Sequence, residues 1–145
     1  IAIRLLPAGF LLTLFVLIMI WSADIFAYLI GKTWGKHPLA PGISPKKTVE
    51  GTVGGLLASS LAGVLLSVFF PLEFLNYYYG GLLGLLVGAA GALGDLNQSV
   101  LKRSVDVKDA GDLLPGHGGI LDRFDSVLFA APLFYFLVRF LMRAG

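Results

Sequence analysis

Four apolar stretches, each long enough to cross or nearly cross a bilayer, constrain the fold of this 145-residue chain more than any other feature. They run from about Ala8 to Ile30, Val53 to Phe70, Tyr77 to Gly94 and Ser126 to Met142. A spanning helix needs about 20 mainly apolar residues, and hydrocarbon offers the backbone no hydrogen-bond partner outside a helix or a closed barrel. The sequence therefore predicts an all-α, polytopic transmembrane bundle of about four helices, with residues 1–145 as a single transmembrane domain.

The composition supports a membrane environment. Hydrophobic residues make up 57% of the chain and charged residues only 14%, against roughly 25% charged in an ordinary soluble domain. The first apolar run is too long for the core of a signal peptide, which spans about 7–15 residues. A net charge of +2 gives no case for nucleic-acid binding. The absence of cysteine excludes disulfides and thiolate metal sites.

The polar connections predict an orientation. Four spans in alternation place residues 31–51 and 94–125 on one face of the membrane, with the termini and residues 71–76 on the other. Eight of the 11 Lys and Arg residues fall on the first face and three on the second. Because basic residues concentrate on the cytoplasmic side, the two long connections are predicted to be cytoplasmic.

The third apolar stretch has small residues at four-residue spacing: Gly80, Gly84, Gly88 and Ala92. This spacing predicts one helical face that another helix approaches closely. A phosphate-binding loop is disfavoured because the glycines lie within the apolar run. The three tyrosines Tyr77–Tyr79 are typical of an aromatic belt at the non-cytoplasmic interface.

A polar stripe follows the third apolar stretch. If the helix continues, one face holds Asp95, Gln98, Ser99, Lys102 and Arg103. A carboxylate at the membrane boundary is costly unless it is paired or binds a cation. The alternative is a solvated helix end with ion pairs four residues apart.

Asp122 and Asp125 stand one helical turn apart at the start of the fourth stretch. Two ionised carboxylates at this spacing repel each other, and a divalent cation removes that penalty. Oxygen ligands without cysteine favour Mg²⁺ over a transition metal. The alternative is stabilisation of the acids by the helix dipole, which explains one of the pair more easily than both.

Charged and ionisable residues of both signs lie between the polar stripe and the pair of acids that begins the fourth stretch. They are Lys108, Asp109, Asp112 and His117. Carboxylates that hold a metal, together with cations that neutralise phosphate oxygens, are what a nucleotide-phosphate site requires. A lone histidine is more often a structural hydrogen-bonding residue than a catalyst, and His37 is not predicted to be functional.

The connection after the first span contains residues suited to cap a helix and lysines suited to bind phosphate groups. Thr48 and Glu50 are suited to cap the second helix. Lys46 and Lys47 either bind anionic headgroups, at about 1 kcal/mol each, or contact a substrate phosphate. Asp24 lies on the same side, and an acid within a membrane segment is a functional candidate by default.

Residues 99–125 form an ordered pattern of 27 contiguous residues. Its fixed positions are Ser99, Lys102, Arg103, Lys108, Asp109, Pro115, His117, Gly118, Gly119, Asp122, Arg123, Phe124 and Asp125. This pattern resembles the signature of the phosphatidate cytidylyltransferases (CDP-diacylglycerol synthases). The segment Ser44–Gly51 is similar to that family's Ser-Pro-Gly-Lys-Thr-Trp-Glu-Gly stretch, but has Lys46 for Gly and Val49 for Trp.

The resemblance covers roughly Trp21 to the end of the chain and implies the C-terminal half of such an enzyme. It implies transfer of the cytidylyl group of CTP to phosphatidate, giving CDP-diacylglycerol and pyrophosphate in phospholipid biosynthesis. The implied cofactor is Mg²⁺, with a monovalent cation such as K⁺ as a further candidate. The implied partners are CTP, phosphatidate, the lipid bilayer of a bacterial inner membrane and, as a candidate, a second copy of the chain.

The resemblance also implies roles for individual residues. The metal ligands would be Asp95, Asp122 and Asp125. The groups that bind CTP or pyrophosphate oxygens would be Lys102, Arg103, Lys108 and Arg123. The groups that face phosphatidate or the triphosphate would be Ser44, Lys47 and Thr48, with Asp24 closing the same pocket. The groups that order the loop or assist proton movement would be Asp109 and His117.

Two other functions stay open from the sequence. A CTP-dependent polyprenol-type lipid kinase would use the same nucleotide but transfer its γ-phosphate. An ion channel or transporter predicts acids spread through the spans, whereas only Asp24 and Asp95 approach them, both near one face.

Overall fold

The computed structural model of the chain describes residues 2–104 and 121–144 and, within these, the side chains of residues 2–101 and 126–143. A short 3₁₀ turn, Ala2–Leu5, precedes the main elements, which are α1 (Gly9–Trp34), β1 (Pro38–Ala40), β2 (Ser44–Thr48), α2 (Val49–Phe69), α3 (Tyr77–Ser104) and α4 (Leu121–Ala144). All four helices are long and apolar enough to cross a membrane. The predicted all-α transmembrane bundle is therefore confirmed, with a small hairpin that the apolar pattern did not predict.

The helices pack in chain order, α1 on α2, α2 on α3 and α3 on α4, and α1 also contacts α3 and α4. The buried core lies where α1, α3 and α4 meet. Its largest side chains include Leu12, Phe15, Met19, Val87, Phe134 and Val138. The outer faces are apolar as well as exposed, for example at Phe10, Leu57 and Phe136. Such faces are expected where lipid chains rather than water surround a bundle.

Small residues bring α2 and α3 into backbone contact. The Ser59 hydroxyl donates to the Gly84 carbonyl at 2.7 Å, and the Ser60 hydroxyl donates to the Gly81 carbonyl at 2.9 Å. A Cβ added at Gly84 would collide with the Ser59 carbonyl, and one added at Gly63 would collide with the Gly80 carbonyl. The four-residue glycine spacing therefore serves helix packing, as predicted.

The helices extend beyond the predicted apolar stretches. α1 continues past Ile30 to Trp34, α2 begins at Val49 rather than Val53, and α3 continues past Gly94 to Ser104. Hydropathy identifies only the part of a helix that is apolar enough for the hydrocarbon core. The helix itself continues into polar sequence as long as its backbone N–H and C=O groups find hydrogen-bond partners. As a result, Asp95 and the hairpin lie at the same end of the bundle.

Candidate active site

A two-stranded hairpin folds across the ends of α1 and α2. β1 pairs with β2 antiparallel, with Pro38 opposite Thr48 and Ala40 opposite Ser44, and the register is irregular between Pro38 and Ala40. The Thr48 hydroxyl then caps α2 by accepting from the Gly51 amide at 3.2 Å. The predicted cap is thus confirmed for Thr48, and the end of β2 leads directly into the start of α2.

Glu50, in the first turn of α2, binds the segment between α1 and β1. Its Oε2 accepts from the backbone amides of Lys36 at 3.2 Å and His37 at 3.3 Å. Its Oε1 lies 2.6 Å from His37 Nδ1, and the Val49 amide donates to the His37 carbonyl at 2.9 Å. These contacts give His37 a structural role, and they place the Glu50 carboxylate on the segment before β1.

α1 and α2 approach closely beneath the hairpin. A Cβ added at Gly51 would lie 2.5 Å from the Ala27 carbonyl oxygen and 2.9 Å from Gly31 Cα. Real Cβ atoms do not sit that close to backbone atoms, so this crossing needs glycine at residue 51. The close crossing of α1 and α2 lies next to β2, since Thr48 Oγ1 is also 2.9 Å from a Cβ added at Gly51.

Lys47 and Asp95 join the hairpin to α3. Lys47 Nζ lies 3.0 Å from Asp95 Oδ2, and the two side chains are 28% and 30% exposed. The Ser126 hydroxyl at the start of α4 donates to Asp95 Oδ1 at 3.0 Å. The two oxygens of one carboxylate therefore contact different elements, and Asp95 becomes the point where β2, α3 and α4 meet.

The described contacts of Asp95 favour the interpretation in which it faces neighbouring elements. A solvated helix end would pair Asp95 with a cation on α3 itself. Instead the described ion pair crosses from α3 to the hairpin, and within α3 the Ser99 hydroxyl donates to the Asp95 backbone carbonyl at 2.8 Å. The prediction that α3 continues with a polar stripe turned toward its neighbours is confirmed for Asp95. Gln98, one turn further along α3, is buried, and its Nε2 has no partner among the described residues.

An open groove of about 670 Å³ lies between α1, the hairpin and α3. Its charged and polar lining consists of Asp24, Tyr28, Lys32, Ser44, Lys46, Lys47, Thr48, Thr52 and Asp95. A smaller cavity of about 50 Å³ adjoins it and shares Asp24, Lys47 and Asp95. Five residues predicted from the sequence are therefore brought together: Asp24, Ser44, Lys47, Thr48 and Asp95.

Three polar groove residues were not predicted from the sequence: Thr52 on α2, and the pair Tyr28 and Lys32. Tyr28 and Lys32 lie on α1, at positions four and eight after Asp24, so helical spacing puts them on one face with Asp24. Lys32 Nζ lies 5.8 Å from the centre of the Tyr28 ring, within the range of a cation–π contact. A search for polar residues in register with Asp24 could have found both of them.

Several predicted site residues cannot be placed in the groove. Lys108, Asp109 and His117 lie outside the described residues. Lys102 and Arg103 belong to α3, and Asp122, Arg123 and Asp125 belong to α4, but their side chains lie outside the described part of the chain. The roles implied for these eight residues stay predictions. The backbone of Asp122 and Asp125 belongs to the turn of α4 before Ser126, which contacts Asp95.

The chemistry of the described donors fits a hard cation. Apart from the Lys47 ammonium, the groups at Asp95 are oxygens, from its own carboxylate and from Ser126, and Asp24 lines the same cavities. Mg²⁺ prefers oxygen ligands and is commonly held by only one or two carboxylates. Within the described residues, no group of three or more acidic, histidine or cysteine side chains could hold a metal, so a complete ligand set would need residues beyond them.

Comparison with known proteins shows what the chain is similar to. The model of the cytidylyltransferase family matches residues 2–141. A phosphatidate cytidylyltransferase of Synechocystis sp. is 49% identical over 136 residues, which cover 94% of this chain and 46% of that protein. The phosphatidate cytidylyltransferase of Bacillus subtilis is 50% identical over 121 residues, covering 83% of this chain and 45% of that protein. The chain thus spans about half the length of these curated relatives.

Proposed function

Because the chain belongs to the cytidylyltransferase family, we propose that it transfers the cytidylyl group of CTP to phosphatidate and forms CDP-diacylglycerol and pyrophosphate. The proposal draws on the names of relatives that are 49% and 50% identical over most of this chain. It extends to the whole reaction, although the chain spans about half of each relative.

The observation that supports the proposal best is the groove at the end of the bundle. Lys32, Lys46 and Lys47 line it together with two carboxylates. Its volume of about 670 Å³ falls in the usual range of small-molecule sites, roughly 300–1,000 Å³. Because the groove lies at the end of lipid-facing helices, a lipid phosphate could enter it while the acyl chains stay in the bilayer.

The reaction joins two polyanions, so the site must offset their repulsion. A phosphate oxygen of phosphatidate attacks the α-phosphorus of CTP, the bond from that phosphorus to the oxygen bridging to the β-phosphorus breaks, and pyrophosphate leaves with the bond electrons. The lysine ammonium groups of the groove would bind phosphate oxygens and stabilise the charge that develops on them. Thr48 Oγ1 is held as an acceptor by the Gly51 amide, which leaves its O–H free to donate to a phosphate.

Mg²⁺ belongs to the proposal as the cofactor. Asp95 would hold it together with Asp122 and Asp125, and when bound it would neutralise phosphate charge and polarise the phosphorus–oxygen bonds. A monovalent cation such as K⁺, a second copy of the chain as partner and a cytoplasmic position of the groove are further parts of the proposal.

Other functions receive no support from the comparisons. The similar proteins described above are named phosphatidate cytidylyltransferases, rather than lipid kinases, channels or transporters. The polyprenol-type kinase stays useful as the outcome that an experiment must distinguish, because it consumes the same nucleotide.

Labelled CTP tests the proposed reaction. We would graft this chain in place of the matching segment of the Bacillus subtilis relative and supply the chimera with phosphatidate, Mg²⁺ and CTP labelled at the α- or γ-phosphate. We expect the α-label in the lipid product and the γ-label in pyrophosphate, because the α–β bond is the one that breaks.

The unmodified relative serves as the control for this assay. Lipid that acquires the γ-label would indicate a kinase. A chimera that inserts into the membrane but incorporates neither label, while the control incorporates the α-label, would contradict the proposal.

A further inference from the structure

We infer that Lys47 is an exchangeable counter-ion: its ammonium occupies Asp95 until a divalent cation takes that carboxylate, and it then turns to a phosphate oxygen in the same groove. The inference rests on the proposed function for the identity of the phosphate. The metal itself is part of that proposal, with Asp95, Asp122 and Asp125 as its ligands. The competition between the Lys47 ammonium and the metal for Asp95, however, can be measured without either substrate.

The two carboxylate oxygens of Asp95 have different partners, one a short side chain and the other a long one. Oδ1 accepts from the Ser126 hydroxyl, a short side chain on α4. Oδ2 faces the ammonium of Lys47, at the end of a long side chain on the hairpin. Moving the lysine aside leaves a carboxylate that α4 still orients, with one oxygen ready for another cation.

The pair is exposed enough to exchange. The two side chains are 28% and 30% exposed, and ion pairs that water reaches contribute little net stability. A divalent ion has twice the charge of an ammonium and therefore attracts the carboxylate more strongly at the same distance. A metal ion can thus displace the Lys47 ammonium from Asp95 at a modest cost in free energy.

The hairpin backbone does not need to move for this exchange. Lys47 precedes Thr48, which caps α2, and the neighbouring Glu50 binds the segment between α1 and β1. Lys47 also lines both the groove and the smaller cavity, so rotation of its side chain keeps the ammonium within the site. The exchange would therefore deliver a phosphate-binding cation when the metal arrives.

Metal affinity provides the first test, with Mn²⁺ as an EPR-visible probe and no nucleotide or phosphatidate present. Lys47→Met should bind Mn²⁺ about threefold to tenfold more tightly than the unmodified chain, because the competing ammonium is gone. Lys36→Met is the matched control, since it removes the same charge from an exposed lysine outside the groove and should leave the affinity unchanged. Equal or weaker Mn²⁺ binding by Lys47→Met would overturn the inference.

Amine labelling of the unmodified chain provides a second test that does not depend on how Lys47→Met folds. Saturating Mn²⁺ should increase the acylation rate of Lys47, measured by mass spectrometry, while that of Lys36 stays constant. In Asp95→Asn, Lys47 should be labelled quickly with or without Mn²⁺. Protection of Lys47 that Mn²⁺ does not change would refute the exchange, and because both tests omit the substrates, this failure is distinguishable from a failure of the proposed reaction.

Discussion

Asp95 shows how a single side chain can connect three elements. It receives the Ser126 hydroxyl on one oxygen and the Lys47 ammonium on the other. Its position at the end of the apolar run explains why a carboxylate is tolerated there: the charge is paired, and 30% of the side chain is exposed. If Asp95 holds the catalytic cation, its charge matters more for turnover than for the fold.

Asp95→Asn tests this at the residue scale. The amide keeps the shape of the carboxylate and can still accept from Ser126, but it lacks the charge that attracts a cation. We expect cytidylyl transfer to fall about 100-fold or more, the size typical of losing one electrostatic stabiliser. Initial rates at several Mg²⁺ concentrations would measure the loss.

Glu73→Gln is the matched control for that variant. It neutralises an exposed acid in the short turn between α2 and α3, at the opposite end of α3 from Asp95. Its turnover should equal that of the unmodified protein. Near-normal Mg²⁺-dependent turnover in Asp95→Asn would remove Asp95 from the metal site.

At the scale of elements, the α2–α3 contact sets the position of Asp95. Ser59 and Ser60 donate to carbonyls of α3, and glycines on both helices let the backbones touch. Interhelical hydrogen bonds and close backbone packing are what hold helices together in lipid, where apolar burial gives little driving force. The site therefore depends on small residues far from its own chemistry.

Gly84→Leu is expected to force these helices apart. Even the Cβ would overlap the Ser59 carbonyl, so the added side chain requires backbone displacement, and overpacking of this kind costs about 1–3 kcal/mol or more. Unfolding in mixed micelles with increasing SDS should show a lower midpoint than for the unmodified chain.

Gly42→Leu provides the comparison for this substitution. It adds the same side chain in the hairpin, where nothing lies within 4 Å of an added Cβ. Its unfolding midpoint should stay close to that of the unmodified chain. If both leucine variants unfolded at the same SDS fraction, the close packing of α2 on α3 would not stabilise the bundle.

At the scale of the whole molecule, the four helices place the groove at one end of the bundle. The hairpin follows α1 and precedes α2, whereas the turn at residues 71–76 lies at the opposite end of α2. The excess of Lys and Arg on the groove side predicts that this end is cytoplasmic.

Cysteine labelling tests the orientation in a chain that has no cysteine of its own. Gly42→Cys in the hairpin should react with a membrane-impermeant maleimide only in inverted membrane vesicles. Glu73→Cys should react only in intact, right-side-out preparations, because the turn between α2 and α3 is predicted to face away from the cytoplasm. The reverse labelling pattern would place the groove on the outer face.

Patterns within short segments predicted a large part of this molecule. The helices at the centre of each apolar stretch and the glycine face of α3 depend on periodicity along one helix, which the sequence shows directly. Helix ends were less predictable: α3 continues past Gly94 to Ser104, where the residues become polar and the apolar pattern no longer marks the helix. The hairpin was missed because its strand Ser44–Thr48 contains two lysines and a proline, and no alternation of apolar residues.

Residue type and local spacing were enough to predict the membrane-spanning class, the family and the candidate residues for its chemistry, including the pattern in residues 99–125. The packing of the elements added that Asp24, Lys47 and Asp95 share one groove and that Asp95 forms an ion pair with the hairpin. Local patterns could not predict either, because a contact between residues 47 and 95 depends on how α1, α2 and α3 pack and on the register of a two-stranded hairpin.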